Sequence, residues 1–317
     1  MNTVCDQGLR IAFFGIGRMG WPMAENLAAS GLDIIVWDSN SDAVAAFKAR
    51  HGGEDLPPLE IAARADVLIT MLPTSAIVCD LMLGKDGTPG LAGAMRPGCI
   101  LMDMSTSDPL DTVYLSAELA KHDIAMVDAP VAGGVLFARD GTLDILVGGE
   151  PEVIERITPL LSAMGRSHLH CGRVGAAHAL KALNNYVNAA VLAVNLEAMV
   201  AGRKFGLSEE VLLQALEAAT MGRNHPYVKK IKPHVLTRAF ASGMDMGLIA
   251  KDVGIAQDLV AGLGLRGPMV EAVARLWSDA TAELGFNRDQ TEIALFWEKC
   301  ADHVLGRHTN DLGRQED

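Results

Sequence analysis

The chain has 317 residues, half of them apolar and about a fifth charged, with a formal net charge of −12. This is the balance of a globular protein large enough for two domains, and its acidity argues against nucleic acid or an anionic membrane as partner, since both select basic surfaces. The five cysteines (Cys5, Cys79, Cys99, Cys171 and Cys300) are odd in number, widely spread and never spaced CxxC, which fits free thiols in a reducing compartment.

In chain order, apolar runs of strand length occur at 11–14, 33–37, 66–71, 99–103, 124–127 and 143–147, with helical patterns at 20–30, 41–50 and 109–122. Strand and helix in alternation predict an α/β fold, a doubly wound parallel sheet with helices on both faces. From residue 174 on the periodicity is helical, at 176–204, 208–220, 226–238, 247–263, 267–284 and 288–305. A boundary at "GRVG", 172–175, divides an expected Rossmann domain (1–173) from an all-helical domain (174–317), joined by a long helix. Asp6 and Arg10 interrupt any apolar leader, and the apolar stretch 174–202 carries Lys181, four asparagines and Glu197. The first reads against a signal peptide and the second against a membrane span, so a cytoplasmic protein is expected. The polar tail "RHTNDLGRQED" is expected to fray.

Gly15-Ile16-Gly17-Arg18-Met19-Gly20 forms a GxGxxG. Alone it is a weak signal. Here it follows a strand run and opens a helix, and the next strand run ends in Asp38, 18 residues beyond Gly20. In that context the first glycine serves a tight turn, the second lets the backbone approach a pyrophosphate, and the third lets helix and strand pack closely. Amides at the helix start then face the anion. Asp38 suits the hydroxyls of an adenosine ribose and would repel a 2′-phosphate; Ser39 and Asn40 supply no compensating arginine. NAD is therefore favoured over NADP.

The stretch "GRVGAAHALKALNNYVNAAVLAVNLEA", 172–198, is a helix apolar nearly all round. Such a helix is normally buried. At roughly 100° per residue, Lys181, Asn184, Asn185, Asn188 and Asn195 share one stripe. A buried polar stripe must find partners or face a polar cavity. It either bonds loops of the first domain, or it presents Lys181 as a general acid/base with Asn185 one turn on as a substrate contact. Partial burial lowers a lysine's pKa and lets it exchange protons nearer neutrality.

Four blocks carry a resemblance to the β-hydroxyacid dehydrogenase family, most closely its 3-hydroxyisobutyrate dehydrogenase branch: "GIGRMGWPMAENL" at 15–27, "DAPVAGG" at 128–134, "GRVGAAHALKALNN" at 172–185 and "KDVGIAQDL" at 251–259. The resemblance spans about residues 10 to 305. It implies NAD(P)-linked oxidation of a short 3-hydroxy acid to its semialdehyde, a small carboxylate-bearing substrate, and a homodimer or homotetramer assisted by the helical domain. By resemblance Lys181 is catalytic, Asn185 contacts substrate, Lys251 lies by the nicotinamide and helps draw the substrate carboxylate, and the amides at Gly133 and Gly134 hold that carboxylate. Met71, Leu72 and Pro73, with the "STSDP" segment and its Thr106, line the cofactor. Ala132 stands where the family usually has a serine touching substrate, so one polar contact is missing from the substrate-binding segment. Ala177 replaces a frequent glycine at little consequence.

Two other readings stay open: a reductase of the tartronate semialdehyde type, and a non-catalytic NAD-binding interaction protein. An imine reductase is disfavoured because those relatives usually replace the lysine. His168, His170 and Cys171 have the residue types of metal ligands, but no second cluster accompanies them, and no metal site is expected. His178 either lines the pocket or packs. The basic run at 222–234 reads as a solvated face, a pocket wall or a subunit contact.

Overall fold

The structure, a computed structural model, describes residues 9–217, 225–262, 264–302 and 304–306. Cys5, the polar tail from 307, the end of the helix expected at 208–220, the start of the basic run and the side chain of Asn188 lie outside the described residues. The chain divides into two compact units between Tyr186 and Val187.

The first unit opens with β1 (Arg10–Phe14), α1 (Gly20–Ala29), β2 (Asp33–Trp37), α2 (Ser41–His51), α3 (Pro58–Arg64), β3 (Val67–Thr70) and α4 (Ser75–Leu83). A small hairpin, β4 (Gly84–Lys85) with β5 (Thr88–Pro89), precedes β6 (Ile100–Asp103), α5 (Pro109–Ala120) and β7 (Ala125–Asp128). Then come β8 (Val131–Ala132), α6 (Gly134–Arg139), β9 (Leu143–Gly148), α7 (Pro151–Met164) and β10 (Gly165–Gly172). The large sheet runs β10-β9-β7-β6-β3-β1-β2, with β8 paired to β9. Its pairs are parallel except where β9 meets β7 and β8.

Alternation along β1 shows why the sheet is covered twice. Ile11 and Phe13 enter one core with Leu27 of α1, Phe47 of α2 and Leu161 of α7. Ala12 and Phe14 enter the other with Ile61 of α3, Met82 of α4 and Leu115 of α5. A strand buried on both faces reads as a continuous apolar run, the pattern the sequence shows here. The strand β10 gave no such signal. It pairs only with β9, most of its residues are exposed, and "GRSHLHCG" alternates without an apolar face.

The helix α8 (Ala176–Phe205) leads from the first unit into the second. The second unit continues with α9 (Glu209–Glu217), a π-helical segment Tyr227–Val235, α10 (Met246–Gly262), α11 (Pro268–Leu284) and α12 (Ile293–Ala301). Glu197 on α8 accepts from the Met269 and Val270 amides at 3.2 and 2.9 Å, so a carboxylate meets the positive end of α11. Asp289 and Glu292 form a capping box before α12. The expected burial of α8 is corrected by the structure: Leu180, Leu183, Val187, Val191 and Val194 are exposed, Leu183 by 61%.

Candidate active site

A cleft of about 910 Å³ opens at the C-terminal ends of the central strands. Strand order turns there, since β1 is followed on one side by β2 and on the other by β3 and β6. Open α/β sheets bind ligands at such a point. The glycine turn forms one wall, Asp38 stands at the end of β2, and Met71, Leu72 and Pro73 follow β3. Among the residues expected at the cofactor, Gly15, Gly17, Arg18, Met19, Gly20, Asp38 and the 71–73 segment meet in this one cleft.

Each glycine has its own reason. Gly15 has φ +98°, and a Cβ there would run into the Met71 carbonyl. A Cβ on Gly20 would run into the Gly15 carbonyl, so helix and turn touch. At Gly17 a Cβ would meet nothing within 4 Å. Its smallness serves no internal packing and leaves clear the space that a pyrophosphate needs. No side chain caps α1, so none competes for its first amides. These features fit a dinucleotide.

Ile16 is buried behind the wall, and its amide donates to Asp38 Oδ2 at 2.9 Å. Asp38 Oδ1 accepts from the Asn40 amide at 2.8 Å. Each carboxylate oxygen retains acceptor capacity for a ribose hydroxyl. The sequence did not disclose Trp37 and the β4–β5 hairpin as further lining, where Lys85 pairs with Asp80 at 2.8 Å. No spacing rule points to them.

Behind the cleft lies a buried carboxylate that sequence reasoning missed. Asp103 Oδ1 accepts from Thr70 Oγ1 and the Ser105 amide at 2.9 and 3.0 Å, and Oδ2 accepts from Ser107 Oγ at 2.6 Å. Ser105 Oγ in turn accepts from the Leu72 amide at 2.9 Å. One side chain thus ties the loops after β3 and β6 together. Thr106 is exposed between buried Ser105 and Ser107, outside the cleft wall itself. The available signal was an acid closing the apolar run "ILMD".

Lys181 is partly buried on α8, and that burial alone holds its pKa below the ordinary lysine range. Asn184 and Asn185 are exposed beside it. Asn195 leaves the stripe's chemistry, since its Nδ2 donates to the Val191 carbonyl at 2.7 Å. Gly133 and Gly134 hold left-handed φ values of +126° and +77°, which favour glycine. Ala132 lies in β8, in register with Asp144 of β9. Lys251 is on α10 in the second unit, with Nζ 3.0 Å from Asp252 Oδ1. His178 is buried, and it packs rather than lining the cleft. His170 Nε2 lies 3.1 and 3.0 Å from the carbonyls of Gly149 and Gly172. Among the described residues no group of three His, Cys, Asp or Glu could hold a metal ion, and no helix is long and apolar enough to cross a membrane.

Residues 10–175 match the family described as NAD binding domain of 6-phosphogluconate dehydrogenase, and residues 175–297 match the family described as NAD-binding of NADP-dependent 3-hydroxyisobutyrate dehydrogenase. The chain is 32% identical to 2-(hydroxymethyl)glutarate dehydrogenase of Eubacterium barkeri over 93% of its own length and 96% of that protein's. It is 35% identical to mitochondrial 3-hydroxyisobutyrate dehydrogenase of Bos taurus, over 81% and 79% of the two chains. The solved 3-hydroxyisobutyrate dehydrogenase of Mycobacterium tuberculosis with L-serine superposes with a TM-score of 0.60 at 32% identity, covering 90% of this chain and 98% of that one. With both matched segments in order and relatives above 30% identity over most of its length, the chain belongs to the β-hydroxyacid dehydrogenase family, the NAD-binding oxidoreductases that act on the CH–OH group of hydroxy acids.

Proposed function

We propose that this enzyme oxidises a short 3-hydroxy acid of the 3-hydroxyisobutyrate type to its semialdehyde, with Lys181 as general acid/base. The observation that carries the reading is a partly buried amine on a helix whose first turn is hydrogen-bonded to the loops behind the cofactor cleft. Bound NAD supplies the hydride acceptor. Neutral Lys181 Nζ takes the hydroxyl proton as the carbonyl forms; in the reverse direction its protonated form returns it. The amides of Gly133 and Gly134 hold the carboxylate, and the side chain of Asn185 contacts and orients the substrate. Lys251 keeps the place beside the nicotinamide that the resemblance implies.

Ala132 withdraws one hydroxyl from the substrate's surroundings, a difference of about 0.5–1.5 kcal/mol per hydrogen bond. That supports a substrate with one polar contact fewer there. The exposed stripe on α8 supports a homo-oligomer, in which a second copy covers it, and the acidic chain is read as cytoplasmic.

A panel of short 3-hydroxy acids, each assayed with NAD and with NADP, tests this reading. The expected outcome is turnover of a 3-hydroxyisobutyrate-like acid with higher kcat/KM for NAD. Preference for NADP would contradict the reading of Asp38. Turnover confined to tartronate semialdehyde would favour the reductase. Bound NAD without turnover of any acid would favour an interaction protein.

A further inference from the structure

The start of α8 is not capped by its own residues. The first helical residue is Ala176, so Gly175 is the N-cap and His178 the third residue of the first turn. In a capping box those two amides are satisfied by side chains of the helix itself. Here Asp128, the last residue of β7 and fully buried, takes both: Oδ1 accepts from the Gly175 amide and Oδ2 from the His178 amide, each at 2.8 Å. A carboxylate from the sheet performs both halves of the box and places a negative charge at the helix's positive end.

The surroundings are shaped around this carboxylate. Gly148 faces Asp128 across the β7–β9 pair, and a Cβ there would run into Asp128 Oδ1. Gly175 has φ +91°, and its Cβ would come 2.9 Å from Val113 Cγ2. The His178 ring fixes the same turn from its other end. Its Nε2 donates to the Ser105 carbonyl at 3.1 Å, and its Nδ1 meets Thr112 Oγ1 at 2.8 Å. Ser105 is the residue whose hydroxyl holds Leu72 in the cleft wall. Hydrogen bonds therefore run from the cleft through Ser105 and His178 into the first turn of α8.

From this geometry we infer that Asp128 and His178 are positioning residues that fix the register and direction of α8 for Lys181, which follows His178 by three residues. The inference rests on the proposed role of Lys181 for its catalytic consequence, but not for its structural one. Residue 181 lies within one turn of the residues so held, so bonds at 175 and 178 set the position of the Lys181 backbone, from which its amine reaches out. Displacement of a reacting group by about 1 Å costs on the order of 10²-fold in rate.

The test combines Asp128→Asn with two readouts. The amide keeps the shape but opposes a backbone N–H with its own N–H, so one of the two bonds is lost. The expected result is a fall in kcat on the order of 10²-fold, with unchanged NAD Kd and stoichiometry. Alongside it, NMR of 13C-labelled lysine should show the Lys181 amine titrating nearer the ordinary lysine range, because a loosened first turn admits water. Thr112→Val, which removes the hydroxyl at His178 Nδ1 together with its bond to the Asp108 carbonyl, should shift both readouts the same way by less, and it serves if Asp128→Asn does not fold. A folded variant with wild-type kcat and unmoved Lys181 titration would overturn the inference. So would a kcat that falls only in step with NAD stoichiometry, which marks mere loss of folded protein. Activity retained in Lys181→Ala would sink the role of Lys181 alone and leave the titration shift as the test of positioning.

Discussion

Gly17 isolates ligand clearance from packing. Gly15 is required by the close approach of the Met71 carbonyl and Gly20 by that of the Gly15 carbonyl, whereas a methyl at Gly17 would meet nothing within 4 Å. Gly17→Ala should therefore leave Tm nearly unchanged while weakening NAD binding by roughly tenfold or more, the scale of one or two lost hydrogen bonds. Undiminished NAD affinity in calorimetric titration would contradict the placement of the pyrophosphate. These glycines were legible because spacing and context specify each one's task. Asp38 was legible only in part. The spacing points to ribose, but its bonds to the Ile16 and Asn40 amides join two loops remote in sequence. Asp103 and Asp128 were less visible still. Each ends an apolar strand run, and nothing in one dimension distinguishes a buried acid with partners from an acid at a solvated strand end.

Elements with a strong apolar period could be read closely, as β1 and β2 show, and elements without one could not. The exposed edge strand β10 has little buried surface to generate a pattern. The helix α8 teaches the converse. Its apolar residues predict burial, yet Leu180, Leu183, Val187, Val191 and Val194, spaced at three or four residues, remain exposed in the single chain. Sequence reports that a surface will be covered, not by what. If a second copy covers it, each of these half-exposed valines and leucines adds only part of the roughly 1.5–3 kcal/mol of full burial. Light scattering after gel filtration should then show a dimer or larger, and Val191→Asp with Val194→Asp should shift the protein to a monomer. A wild-type chain that is monomeric at micromolar concentration would refute this assembly.

At the scale of the whole molecule, the proposed role of Lys181 makes pH act on stability and catalysis through one amine. Burial lowers the pKa of Lys181 in the folded state below its unfolded value of 10.5. The unfolded chain thus binds more protons between those two values, so burying this lysine opposes folding fully below the folded pKa, and the opposition fades as pH rises from the folded pKa to 10.5. With Lys181 as the proposed general base, oxidation uses the neutral amine, so kcat should rise with pH and level off before 10.5, while kcat for reduction falls across the same interval. The most direct test of the proposed chemistry is Lys181→Ala, assayed for turnover and for NAD binding on the same preparation. The expected result is a loss of about 10²–10⁴-fold in kcat with NAD Kd unchanged; a variant that keeps most of its turnover would contradict the proposed role of Lys181.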